Sequence, residues 1–313
     1  MVDLILEFGC ESCYLHDIDC GTNCIRELKI NLSLLFNHKL PSNFFSQNIN
    51  DIFTVKKDFF YRKRMPDVWR YDLKYCEDKG QWLLYEPNTD DIANQWVRRT
   101  TNDYCQYENP IQNDEAANNI LIILESPHDD EYHYPDAKNP YFMPLQPANG
   151  ATGINFSNYF TKYKNGRDTN ISKCILTHTV KKMADSLESK LTQGQIYHIC
   201  IINPVPFQAS LHFYHRQSLK TGEITGDIRD IVWKELFKHC ENDFIRRIGF
   251  YKPFAILNAC TGGRDGLKDS DSLKFKVDSA INKVSFVNNI HKFNTAHPSY
   301  WHVERNRYCD KSQ

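Results

Sequence analysis

Four short stretches of this 313-residue chain carry the side chains best suited to chemistry. They are Glu125-Ser126-Pro127-His128, Asn203-Pro204-Val205, Asn258-Ala259-Cys260 and His297-Pro298-Ser299. Together they offer one carboxylate, two amides and two imidazoles. A carboxylate can stabilise a developing cation, and an imidazole can give or take a proton near neutral pH. An amide presents one donor and one acceptor side by side. Two further clusters suggest metals. The run His128-Asp129-Asp130-Glu131, with His133 nearby, has the donor types a divalent ion takes for phosphoester hydrolysis, although a solvated loop has the same composition. Cys10, Cys13, Cys20 and Cys24 place four thiols within fifteen residues, the ligand count of a structural zinc site, with His16 as a substitute ligand. Chance clustering in a chain with 11 cysteines is the other reading.

The elements that must position these residues are readable from apolar patterning. Ile120 to Leu124 is a continuous apolar run bounded by polar residues, which predicts a strand buried on both faces, as in a parallel sheet. Ile199 to Ile202 and Phe254 to Leu257 read the same way. A fourth strand falls at Val284 to Val287 or at Phe293 to Ala296. Between them lie helical patterns: Phe156 to Tyr163, Ser172 to Leu191 and Asp227 to Phe250. Alternating strands and helices predict a three-layer α/β/α sandwich with a mainly parallel central sheet. In such sheets ligands sit beyond the carboxyl ends of the strands. All four chemical stretches follow expected strands and would share that rim.

Composition bounds the rest. Hydrophobic residues are 41% and charged residues 25% of the chain, which fits a globular protein rather than a disordered one. No apolar run approaches the roughly 20 residues of a membrane-spanning helix. The start, Met1-Val2-Asp3-Leu4, lacks a basic region, so no secretory signal is expected, and a cytoplasmic location with reduced thiols is. The polar segment 112–115 marks a boundary between an N-terminal accessory domain, 1–115, and a catalytic domain, 116–313. The net charge of −1 hides a split. Residues 1–115 hold 13 basic and 19 acidic side chains, whereas residues 116–313 hold 25 and 20. A basic excess in the second part permits phosphate contact if the charges share a face. The aromatic and basic stretch 53–85 reads either as the core of a β-rich domain or as a stacking platform for single-stranded nucleic acid.

The order and context of the motifs resemble the uracil-DNA glycosylase superfamily. The residues that carry the resemblance are Leu124-Glu125-Ser126-Pro127, Pro140-Tyr141-Phe142 and the turn Ala148-Asn149-Gly150-Ala151-Thr152-Gly153. Ile202-Asn203-Pro204-Val205, Leu257-Asn258-Ala259-Cys260-Thr261-Gly262 and Thr295-Ala296-His297-Pro298-Ser299-Tyr300 complete the set. The pattern is most similar to the branch whose first motif is Gly-Glu-x-Pro-Gly. That branch carries an iron–sulfur cluster, but its cysteine pattern is absent here. Leu124 and His128 stand where the family has glycines.

The resemblance implies a monofunctional glycosylase acting on DNA by base flipping, with no cofactor for catalysis. Glu125 would stabilise the cationic sugar, and His297 would donate to the departing base. Asn203 would read the base edge, and Phe142 or Tyr141 would stack on it. Ser299 and Arg305 would grip phosphate, and Tyr300-Trp301 would wedge into the duplex. Asp129 or Asp130 is a second candidate acid, since Ser126 stands where the best-known uracil enzymes have Asp. The expected substrate is uracil or a bulkier modified pyrimidine, in base-excision repair or antiviral defence. Two alternatives stay open: a metal-dependent phosphoesterase built on His128, Asp129 and Asp130, and a nucleic-acid-binding module without catalysis.

Overall fold

The computed structural model describes residues 3–8, 26–31, 61–62, 64–93, 118–128, 131–133, 143–150, 152–153, 174–176, 178–207, 209, 225–261, 272–286, 289–298 and 301–304. In chain order the elements are β1 (Asp3–Phe8), β2 (Arg26–Asn31), β3 (Tyr61–Arg62), β4 (Val68–Cys76), β5 (Gln81–Tyr85), β6 (Asn119–Ile123), β7 (Tyr132–His133), β8 (Met143–Pro144) and β9 (Cys174–Leu176). They continue with α1 (His178–Glu188), β10 (Tyr197–Ile202), α2 (Thr225–Phe250), β11 (Ala255–Asn258), α3 (Leu273–Lys283), β12 (His291–Asn294) and β13 (His302–Glu304).

Six strands form a mixed sheet in the order β12-β11-β6-β10-β4-β5. β12, β11, β6 and β10 are parallel, while β4 runs antiparallel to β10 and β5 antiparallel to β4. With its helices this is an α/β arrangement. Three smaller sheets stand apart from it: β2-β1-β3, β13-β9 and β7-β8. No helix among the described residues is long and apolar enough to cross a membrane.

Side-chain alternation explains why the parallel strands are apolar throughout. Successive residues of a strand face opposite sides of the sheet. Leu121, Ile123, Cys200, Ile202 and Ile256 therefore enter one core, with Trp233, Leu236, Phe244 and Ile248 of α2 and Leu273, Val277 and Ile281 of α3. Ile120, Ile122, Ile199, Ile201, Ala255 and Leu257 enter the other, with Val180, Met183, Ala184 and Leu187 of α1. The α1 residues follow the i, i+3, i+4, i+7 spacing of an amphipathic helix.

Several boundaries differ from the sequence reading. The helix expected from Ser172 begins only at His178, because Cys174–Leu176 pairs as a strand with β13. The fourth parallel strand is His291–Asn294, at neither of the two exact spans expected. α3 was not expected at all, and it starts where the Ser272 side chain accepts the Phe275 amide at 3.2 Å. The central sheet also reaches back across the boundary expected at residue 115. β4 pairs with β10 from Leu73↔Tyr197 to Val68↔Ile201. Trp69, Tyr71 and Trp82 of the aromatic stretch are buried in the two cores rather than displayed as a stacking platform.

A buried ionic cluster locks this N-terminal segment to α2. Arg247 is 0% exposed and donates to both carboxylate oxygens of Asp67, at 2.7 and 2.8 Å. Tyr251 Oη donates to the same carboxylate at 2.8 Å. Arg247 Nε and Arg64 both donate to Asp243 Oδ2, at 2.8 and 2.5 Å. Burial alone would raise the Asp243 carboxyl, but the Arg64 and Arg247 guanidiniums outweigh it and hold it down at about 2.

Two outcomes follow from this cluster. Arg247→Met leaves the Asp67 carboxylate buried without its cation, so it should lower unfolding free energy by about 3–5 kcal/mol in urea titrations. Asp243 binds a proton less readily folded than unfolded, so its stabilisation is present above about pH 4 and lost as pH falls toward 2. Stability should drop by about 2 kcal/mol over that window, and Asp243→Asn should flatten the slope there.

Candidate active site

The four expected strand ends do meet on one rim. Backbone bonds carry the parallel register one residue beyond the strands: Leu124 N to Ile202 O at 3.0 Å, Ala259 N to Ile123 O at 2.8 Å and Thr295 N to Asn258 O at 3.0 Å. The chain runs from β6 to β10 on one side, then returns past β6 to β11 and β12 on the other. The order of travel reverses between β6 and β11, the kind of point where ligands of parallel sheets bind beyond the carboxyl ends.

Glu125 sits at that reversal and is buried. The Thr261 hydroxyl, from the turn after β11, donates to Glu125 Oε2 and ties the two strand ends together. The Glu125 carbonyl accepts the Trp233 indole N–H at 3.0 Å. Trp233 is fixed in turn by stacking on Phe237, with ring centroids 4.6 Å apart. The Glu125 carboxylate is therefore held from the turn after β11, and its backbone from α2.

Asn203, after β10, is 2% exposed. Its carbonyl accepts from Arg247 at 3.0 Å, so the ionic cluster holds its backbone. Its side chain is different. Neither Nδ2 nor Oδ1 has a hydrogen-bond partner among the described residues. A buried amide without partners costs about 1–3 kcal/mol for each group left unmade. Asn258, the second amide of the rim, is fully used inside the protein. It donates to Asp278 at 2.7 Å and to the Lys274 carbonyl at 3.3 Å, and it accepts the Cys260 amide at 3.1 Å.

His297 follows β12 and is buried. The chain before it is braced on two sides. Lys274, in the first turn of α3, donates to the Thr295 carbonyl. Trp301 Nε1 donates to the Ala296 carbonyl at 2.6 Å. Burial pushes the Lys274 amine down from its ordinary value, with Cys260 and Asp278 acting in the opposite direction. Ala148 takes φ 57° inside the motif turn although it is not glycine, and it is buried in the α1-side core. Such left-handed strain persists only where surrounding packing enforces it.

Other expected residues fall as follows. Trp301 is 0% exposed within the core and does not project as a wedge, because its indole is consumed in bracing the His297 loop. His128 is exposed. Asp129, Asp130, Tyr141, Phe142, Ser299, Tyr300 and Arg305 lie outside the described residues, as do Cys10, Cys13, Cys20 and Cys24. Among the described residues no group of three or more His, Cys, Asp or Glu side chains is arranged to hold a metal. Thr261, Trp233 and Lys274 were not singled out from sequence. Only Thr261 carried a signal, its place in the motif after β11. Comparison with known proteins finds no matching family model, no matching curated protein and no matching solved structure.

The unmade bonds of Asn203 give a stability test. Asn203→Leu replaces an unsatisfied amide with an apolar group of similar size, so it should raise unfolding free energy by about 1 kcal/mol in urea titration. A loss of stability would show that the amide is a structural turn residue.

Proposed function

We propose that this protein is a monofunctional DNA glycosylase that removes a non-standard pyrimidine and leaves an abasic site. The observation that carries the reading is the buried Asn203 amide, at the end of the strand paired with the one that leads into Glu125, with both polar atoms unmatched among the described residues. A donor and an acceptor set side by side suit the Watson–Crick edge of a flipped base. The motif resemblance supports the same reading, as do the rim position of Glu125 and His297 and the basic excess of residues 116–313. We assign the sheet and its helices to a three-layer α/β/α sandwich working on DNA in the cytoplasm.

In this mechanism the flipped nucleotide places its base against Asn203. As the N-glycosidic bond breaks, its electron pair leaves with the base, and His297 donates a hydrogen bond to the base carbonyl that gains charge. The sugar develops oxocarbenium character, which the Glu125 carboxylate stabilises. Water adds to the anomeric carbon and passes a proton to the carboxylate, and that proton returns through solvent to the departed base anion. The products are free base and an abasic site. Thr261 and Trp233 are positioning residues, because they act through Glu125.

The test is incubation with uracil DNA, plain DNA and hypermodified phage DNA in parallel, analysing released bases and alkali-sensitive sites. Release of a base, reduced about a hundredfold or more by Glu125→Gln and by His297→Ala, is the expected result. Chelator-sensitive strand breaks that need no alkali would favour the phosphoesterase. Binding without release from any DNA would favour the non-catalytic module.

A further inference from the structure

The parallel ladder between β11 and β12 ends one bond beyond the strands. Thr295 N donates to the Asn258 carbonyl, so the next bond of the register would run from the Cys260 amide to the Thr295 carbonyl. That bond gives way to two others. The Cys260 amide turns to Asn258 Oδ1 at 3.1 Å, and the Lys274 amine donates to the Thr295 carbonyl in its place. Beyond this point the two chains part. One leads into Thr261, whose hydroxyl holds the Glu125 carboxylate, and the other leads into His297. The half-buried Lys274 side chain stands in the fork. Its backbone is tied to the first branch. The N–H groups of a first helical turn have no acceptor within the helix. The Lys274 N–H finds one in the Thr261 carbonyl at 3.1 Å, and the Lys274 carbonyl accepts the Asn258 amide at 3.3 Å. One residue therefore bonds the Glu125 branch through its main chain and the His297 branch through its amine. A cation in the first turn opposes the helix dipole, and burial disfavours its charge further. Lysine is a costly choice there unless its reach across the fork is used.

We infer that Lys274 is a positioning residue of the proposed reaction, setting the His297 imidazole against the Glu125 carboxylate across the fork between β11 and β12. In that mechanism both groups act on one nucleotide, the imidazole on the base and the carboxylate on the sugar. A misplacement of about 1 Å between such groups can cost about a hundredfold in rate. The inference rests on the glycosylase reading and adds to it a residue outside the motifs.

The experiment measures single-turnover base release from uracil DNA and from hypermodified phage DNA. Lys274→Met keeps the bulk of the side chain and the backbone bonds but removes the donor. It should lower the rate at saturating protein about tenfold and leave the half-saturating protein concentration unchanged. Lys274→Arg, which keeps a cationic donor, should recover most of the rate. In a His297→Ala background Lys274→Met should cost less than about twofold, because the amine acts through that imidazole. Lys274→Gln, neutral and one atom shorter, should behave as Lys274→Met does and gives the same reading if the Met variant does not fold. A parental rate in Lys274→Met or Lys274→Gln would overturn the inference and leave the glycosylase reading standing. So would an equal tenfold loss in the His297→Ala background, a change in half-saturation alone, or a Lys274→Arg protein as slow as Lys274→Met. No release from either DNA by the parent protein would overturn both.

Discussion

The Arg247 guanidinium is the contact on which the rest of the site depends. It spends its donors on Asp67, on Asp243 and on the Asn203 carbonyl, and it does so with no exposure to water. Three chain segments far apart in sequence are joined there: the residues before β4, the last turns of α2 and the end of β10. Burying these charges is costly unless each is matched, and the match is what makes the geometry unique. A consequence reaches the rim. With its backbone pinned from below, Asn203 has little freedom to turn its amide toward another partner.

This gives physical meaning to the contrast between the two amides. Asn258 and Asn203 both close a parallel strand, and sequence alone treats them alike. Asn258 is satisfied by Asp278, the Lys274 carbonyl and the Cys260 amide, so its task is to shape the turn after β11. Asn203 is equally buried, but its amide is unmatched. Proteins tolerate such groups at sites that bind something else, because the missing bonds are recovered from the ligand. The buried thiols show the opposite behaviour. Burial pushes Cys240 up to about 12 and Cys200 well above its ordinary value, so both stay protonated and act as small core hydrophobes.

How much was legible in sequence follows from the range of the interactions involved. The apolar runs of β6, β10 and β11 and the spacing of α2 were readable, since burial on both faces of a parallel sheet leaves a local pattern. The rim was readable because chemistry at such sheets follows strand ends. β4 and β5 were not assigned to this sheet. Their place depends on antiparallel pairing with β10, more than a hundred residues away, and their aromatic content suits an edge of any sheet. α3 was missed because its exposed face is mixed and its start depends on one serine cap. Trp301 was misread because an aromatic after a histidine loop looks the same whether it faces water or core. Its indole hydrogen bond to Ala296 decides the matter, and no local pattern reveals that.

The two ends of the same four strands differ in how their buried polar groups are matched among the described residues. At the amino end polar groups are matched. Asn119 is buried, yet its side chain donates to the Tyr251 carbonyl at 2.7 Å and its carbonyl accepts from Phe254 N at 2.8 Å. His291 N donates to the Phe254 carbonyl at 3.1 Å, and His198 N to the Asn118 carbonyl at 3.0 Å. That end is closed by the protein itself and works as a foundation. At the carboxyl end the Asn203 amide and the Thr295 hydroxyl are buried without partners among the described residues. Leaving the Asn203 amide unmatched costs stability, a cost that the proposed role for Asn203 would offset, since a bound base would supply the missing bonds.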